Sequence, residues 1–294
     1  MLVVLLLGAA GCGGGSGGGS GDTASPDVAW VDPDGDAPYI GSLSVNPSDG
    51  SLLMASNTGL FKIPAKGGTP AKITGELTTP NGSGNVSEAL VARFVGPDEL
   101  VGSGHPRPGG TTLPQSLGLI HSGDAGRTWE SVSQLGTADF HAISADGETV
   151  VAPLFGQGQI QLSRDGGRNF ESRVAPMALV DLAVDPGNPR RWVATSEQGI
   201  YVTLDEGKTR RQRDNTPNVR LAWQDPRTLY RIDPGGAVKI SGDGGDSWQA
   251  RGDTGGEPQA LAVDSDGVLY AASLDGVVKR SQDGGKTWAA LVTP

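Results

Sequence analysis

Ser122-Gly-Asp-Ala-Gly-Arg-Thr-Trp129 recurs as Ser163-Arg-Asp-Gly-Gly-Arg-Asn-Phe170, Thr203-Leu-Asp-Glu-Gly-Lys-Thr-Arg210, Ser241-Gly-Asp-Gly-Gly-Asp-Ser-Trp248 and Ser281-Gln-Asp-Gly-Gly-Lys-Thr-Trp288. All are versions of S-x-D-x-G-x-T-W. They begin at residues 122, 163, 203, 241 and 281, so the steps are 41, 40, 38 and 40 residues. That period belongs to one four-stranded blade of a radial β array.

Strand-length apolar runs flank each phrase. In the last unit these are 259–263, 268–272, 277–280 and 287–291, separated by Asp-Ser-Asp-Gly, Leu-Asp-Gly and Gln-Asp-Gly-Gly turn signals. Named A to D from the centre outward, they make the phrase the C–D hairpin. Its chemistry is structural. The aspartates Asp124, Asp165, Asp205, Asp243 and Asp283 can accept backbone N–H bonds, and the glycines permit positive φ. The rings of Trp129, Phe170, Trp248 and Trp288 can bury beneath the turn. In the third copy Arg210, followed by Arg211 and Arg213, stands where the aromatic belongs, and the cluster reads as a solvated strand end.

A sixth, degenerate copy emerges when 49–63 is laid over 266–280 without a gap. Pro64-Ala-Lys-Gly-Gly68 then stands in for the phrase, keeping the turn glycines but not the Asp or Trp. The step to the next copy, from 64 to 122, is 58 residues: one blade plus insertions in the Gly/Pro-rich stretches 78–87 and 103–116. The expected fold is therefore all-β, a β-propeller of four-stranded blades. Six units fill residues 39–292, with seven blades as the alternative.

Composition agrees. Of 294 residues 47 are Gly and 20 Pro, as many short strands and tight turns require, and only 19% are charged. The formal net charge of −10, with no run of Lys or Arg longer than two, gives nucleic acid no electrostatic footprint. The single cysteine, Cys12, excludes an internal disulfide framework and any CxxC metal site.

Residues 1–10 are almost wholly apolar and Ala9-Ala10-Gly11 leads into Cys12. The run is too short to span a bilayer and suits a signal-peptide core. Cys12 falls where a bacterial lipoprotein is cleaved and acylated, although Ala9 replaces the usual Leu and a basic n-region is missing. The Gly/Ser stretch that follows cannot pack. The expected organisation is a signal peptide over 1–12, a flexible tether over 13–26 and one propeller over 27–294. The expected location is extracytoplasmic, with membrane contact through the lipid anchor alone.

The repeated phrase is similar to the Asp-box, or BNR repeat, of sialidases, sortilin-type receptors and photosystem assembly factors. Within that superfamily 93–106, 117–129 and Ala138-Asp-Phe-His-Ala142 resemble bacterial lipoproteins described as sialidase-like glycosylhydrolases. The resemblance implies the propeller fold; fold does not carry function. Those lipoproteins open their first blade with His-x-His-Gly, where this chain has Pro38-Tyr-Ile-Gly41. Sialidase chemistry needs an arginine trio, a Tyr–Glu pair and an acidic proton donor. The family's early Phe/Tyr-Arg-Ile-Pro phrase has no counterpart: Tyr230-Arg-Ile-Asp233 lies in the fifth unit and reads as a plain strand B.

In a propeller the D–A connections and B–C loops share one face, and the A–B and C–D loops share the other. Tyr39, His105, Asp139 and His141, and Glu197 in a B–C loop of unit four, fall on the face opposite the Asp-boxes, where a propeller receives ligands. Imidazole and carboxylate there are equipped to bind a ligand, hold a metal or exchange protons. The plainer reading is that His105 caps a turn and His141 bonds within its strand. His121, at an Asp-box, reads as surface structure.

Two functions compete. One is a lipid-anchored, monomeric binding or assembly module of the cell envelope, whose ligand is a small molecule, a glycan or an envelope protein. The other is a glycoside hydrolase using two of Asp139, Asp181, Glu197 and Asp233. A photosystem-type assembly factor shares the repeats as a third reading. An exposed apolar patch on the ligand face would favour a protein partner; an acid-lined pocket would favour hydrolysis.

Overall fold

The computed structural model describes residues 38–86, 90–106, 112–175 and 178–294, and every regular element among them is a strand. Cys12, the leader 1–12, the tether 13–26 and residues 27–37 lie outside the described residues.

The strands form six sheets arranged as six blades. Blade one runs A Ile40–Val45, B Leu52–Ser56, C Gly59–Ile63, D Ala71–Ile73, each pairing antiparallel with the next. The degenerate copy is thus a true blade, its C–D turn made by Pro64-Ala-Lys-Gly-Gly68. Blades four, five and six repeat the order from Leu179–Asp185, Arg220–Asp225 and Pro258–Val263 as their A strands. Tyr230 and Arg231 lie in Thr228–Ile232, strand B of blade five.

The insertion takes two forms. Blade two has strands Leu90–Gly96, Glu99–Gly104, Leu119–Ser122 and Thr128–Ser133. Outside its D strand a hairpin, Glu76–Thr79 with Gly82–Asn85, pairs in parallel through Trp129↔Leu77. The second part is the long B–C connection that follows Gly104. Blade three departs from the sequence-based expectation. Its strand A is only Ser144–Asp146, and Ala138–Ala142 precedes it as irregular chain held by one bridge, Phe140↔Leu154. Phe140 is buried there, whereas His141 points outward, so the segment does not continue a ladder.

Alternation of side chains across each strand sends apolar residues to both faces of every blade. Six clusters result, each shared by two neighbours; Leu182, Val184 and Trp192 of blade four, for example, pack on Val151 and Leu162 of blade three. One cluster joins blade one to blade six through Ile40, Met54, Tyr270 and Val278 and so closes the ring. Among the described residues no strand is exchanged in that closure. Packing holds it together with hydrogen bonds: Ile40 N–H donates to Gln259 Oε1 at 2.7 Å, and Arg280 Nη1 to the Ala65 carbonyl at 2.9 Å.

The Asp-boxes act as the sequence implies. Asp124 accepts from the backbone N–H groups of Arg127 and Thr128 and from the Thr128 hydroxyl, at 3.0, 2.8 and 2.7 Å. Ser122 Oγ donates to Asp124 and accepts from Gly126 N–H. Asp165, Asp205, Asp243 and Asp283 repeat the pattern with Asn169, Thr209, Ser247 and Thr287. Trp129 is buried and its indole donates to the Gly126 carbonyl at 2.9 Å. Phe170 packs on Phe140, 5.8 Å between centroids, and Trp288 donates to the Gly285 carbonyl. In blade four, where Arg210 replaces the aromatic, the fully buried Trp192 of strand B packs against Gly207 instead. Arg213 pairs with Asp246 of the next Asp-box at 2.8 Å.

Candidate functional site

His105 directly follows strand B of blade two, and Asp139 and His141 sit in the irregular lead into blade three. Gly104, at φ 150°, turns the chain out of its strand there. The three side chains converge. His105 Nε2 lies 3.3 Å from Asp139 Oδ1, and His141 Nε2 lies 3.1 Å from each Asp139 oxygen. The imidazoles meet edge to face at 6.1 Å.

Each histidine is oriented from behind. His105 Nδ1 stands 2.7 Å from the Gln115 carbonyl, which only accepts, so this nitrogen carries the proton and Nε2 is left facing the carboxylate. The His141 ring stacks on Phe155 at 4.0 Å and 19°. Asp139 Oδ1 is buried and has no hydrogen-bond partner of acceptable geometry.

His141 borders three cavities. One is a narrow channel of about 50 Å³ on the propeller axis, walled by the A strands of five blades and by residues 141–143 that lead into the strand A of blade three. Another, about 150 Å³, brings Tyr39, Asn57 and His105 together with His141. The third, about 260 Å³, lies between blades three and four under Phe155 and Leu179. Tyr39, His105, Asp139 and His141 thus form one locality, as their loop positions imply. Glu197 occupies the expected B–C turn but is an exposed rim residue that borders none of these three cavities.

The channel holds Arg93, Asp181, Arg220 and Gln259. Burial holds the Asp181 carboxyl above its ordinary value, against the pull of Arg220 and the Leu221 and Leu182 N–H groups. Asp181 also serves the seam between blades: its Oδ2 accepts from Leu221 N–H at 2.9 Å, as Ser144 Oγ accepts from Val184 N–H at 3.0 Å. Asp233 is neutralised by Arg231 at 2.9 Å and Lys239 at 2.7 Å. Of the acids expected on this face, Asp139, Asp181 and Asp233 therefore face cations, imidazoles or backbone N–H groups.

Sequence reasoning missed two features. Arg231, read as an ordinary strand residue, is fully buried, bonded to Asp214 at 2.8 Å and 4.8 Å from the Trp248 ring centre. The apolar rim was also unplaced. Among the described residues Tyr39, Phe155, Val174, Leu204 and Leu274 are the large hydrophobics more than half exposed. Tyr39 and Val174 lie in or at D–A connections, and Phe155 and Leu274 lie in B–C loops; all four share the face of the histidines. Leu204 alone belongs to the Asp-box face. His121, on that far side, pairs with Glu130 at 3.4 Å.

Comparison with known proteins agrees with this architecture. The family model of the photosynthesis system II assembly factor YCF48 matches residues 112–293. A solved YCF48 with a bound D1 peptide is 18% identical over 66% of this chain and 64% of its own, with a TM-score of 0.42. YCF48 from Cyanidioschyzon merolae is 15% identical over 87% and 85%, with a TM-score of 0.49. The glycoside hydrolase family 74 xyloglucanase from Xanthomonas campestris is 21% identical over 86% of this chain but 38% of its own, with a TM-score of 0.52. The chain therefore spans under two thirds of the peptide-bound protein and well under half of the xyloglucanase. At such identities the likeness is one of fold. No curated protein sequence matches the chain.

Proposed function

The chain belongs to the family of the photosynthesis system II assembly factor YCF48, and from that premise we propose that it is a protein-binding assembly module whose D–A/B–C face receives a segment of a partner. The observation that carries this reading is the one-sided distribution of exposed apolar side chains. Among the described residues Tyr39, Phe155, Val174 and Leu274 lie on the D–A/B–C face, against Leu204 alone on the far side. Apolar groups kept in water around a concavity are the usual mark of an interaction site, and aromatic anchors supply most of the binding energy at one. The cavities of about 150 and 260 Å³ that Tyr39 and Phe155 respectively border have room for side chains of an extended segment. Arg93, which makes no hydrogen bond or ion pair with any described residue, offers a positive anchor to an acidic group entering the channel.

The test is a peptide ligand selected on the folded chain. Phe155→Asp and Leu274→Asp should each abolish most of its binding, and Leu204→Asp should leave it intact. Binding that ignores the first two changes overturns the reading.

The same proposal places the module outside the cytoplasm, tethered through an acylated Cys12 and the Gly/Ser stretch behind it. Cys12→Ser should move the protein from the membrane fraction to the soluble one. Retention in the membrane after that change contradicts the anchor.

A further inference from the structure

We propose that His105, Asp139 and His141 form a binding site for a divalent transition-metal ion, with zinc as its simplest occupant. The donors and acceptors of these three side chains point to it independently of the protein-binding reading. The Gln115 carbonyl holds the His105 Nδ1 proton, which leaves Nε2 to face Asp139 Oδ1 at 3.3 Å. That approach calls for a positive group between the two atoms, an Nε2 proton or a metal ion. The same oxygen is buried, meets His141 Nε2 at 3.1 Å, and has no hydrogen bond of acceptable geometry to either ring. One carboxylate oxygen therefore lies within contact of two nitrogens and is bonded to neither.

A metal resolves that arrangement. For ligands at about 2.0–2.1 Å from a tetrahedral zinc the ligand–ligand edge is roughly 3.3 Å. The 3.3 and 3.1 Å separations from Asp139 Oδ1 are edges of that size, and the ligand atoms of all three residues fall within 4.8 Å of one another. The surroundings also suit a metal. Ligating histidines characteristically give their second N–H to a carbonyl, as His105 does to Gln115. His141 is fixed by its stack on Phe155. The set spans two blades, so an ion there would tie the B–C connection of blade two to the irregular entry of blade three.

Three protein ligands leave the fourth position open, which is the pattern of sites that bind or activate a molecule rather than of closed structural ones. The open position adjoins the 150 Å³ cavity shared with Tyr39 and Asn57. Water, or an oxygen ligand such as a carboxylate, would complete the shell.

The experiment is zinc titration of the full chain, stripped with a chelator, by calorimetry near neutral pH. One equivalent is expected, with affinity lowered about 100-fold or more by His105→Ala, His141→Ala or Asp139→Asn and unchanged by His121→Ala. Thermal melts of the variants without metal show whether each still folds. Cobalt in place of zinc reads the unmutated protein: visible absorption of a tetrahedral N/O site should rise to one equivalent and be discharged by zinc. The proposal is overturned if the wild type takes up no zinc at about 100 μM, well above the affinities of protein zinc sites. It is equally overturned if uptake persists in the folded His105→Ala/His141→Ala chain.

Discussion

At the scale of single residues the Asp-box aspartates explain why a chain with so few aromatics holds so many tight hairpins. Each carboxylate accepts backbone and hydroxyl protons that it keeps only while ionised. Such hydrogen bonds draw Asp165 and Asp205 down to about 2, and Asp124, Asp243 and Asp283 below the ordinary carboxylate value. Folded values below unfolded ones mean that this stabilisation is fully present above about pH 4 and is lost as pH falls toward 2. Melting temperature should therefore hold steady from neutral pH to about 5 and drop steeply below 4, with the C–D hairpins losing amide-exchange protection together. A flat profile down to pH 2 would contradict this role. These residues were legible in the sequence because one local phrase contains donor, acceptor and turn. Arg231 was not, because its partners Asp214 and Trp248 come from other strands. Only the fold brings them to it.

Among the elements, blade four shows how a repeat survives the loss of its own signature. With Arg210 in the aromatic position, Trp192 fills the space beneath the turn from strand B, against Gly207, and its indole donates to the Pro189 carbonyl at 2.8 Å. Trp192→Ala should cost about 3–5 kcal/mol, as emptying a fully buried aromatic site does. An equilibrium denaturation midpoint unchanged by that substitution would show that the substitute role is wrong. The insertion before blade two was legible as surplus length. Its use as an outer hairpin was not, because the parallel pairing of Trp129 with Leu77 joins residues whose patterns are each satisfied locally. The shortness of strand A in blade three was hidden for a related reason: Ala138–Ala142 has strand-like alternation, but Asp139 and His141 turn to His105 and not to a ladder.

Viewed as a whole, the ring has two unlike faces. Every Asp-box turn lies on one. The other carries the paired histidines, the three cavities that His141 borders and, among the described residues, four of the five most exposed large hydrophobic side chains. The repeat period predicted which loops share a face, and from it the company of Tyr39, His105, Asp139 and His141. The same period placed Glu197 on that face as well, yet Glu197 borders none of the three cavities, because period sets the height of a residue and not its distance from the axis. Docking of a partner segment on the histidine face is tested by the calorimetric affinity of a library-selected peptide for the wild type and three variants. Phe155→Asp and Leu274→Asp should each weaken it about tenfold or more, while Leu204→Asp changes it less than twofold. Loss of affinity through Leu204→Asp, with the other two variants binding normally, would put the docking surface on the Asp-box face and refute the assignment.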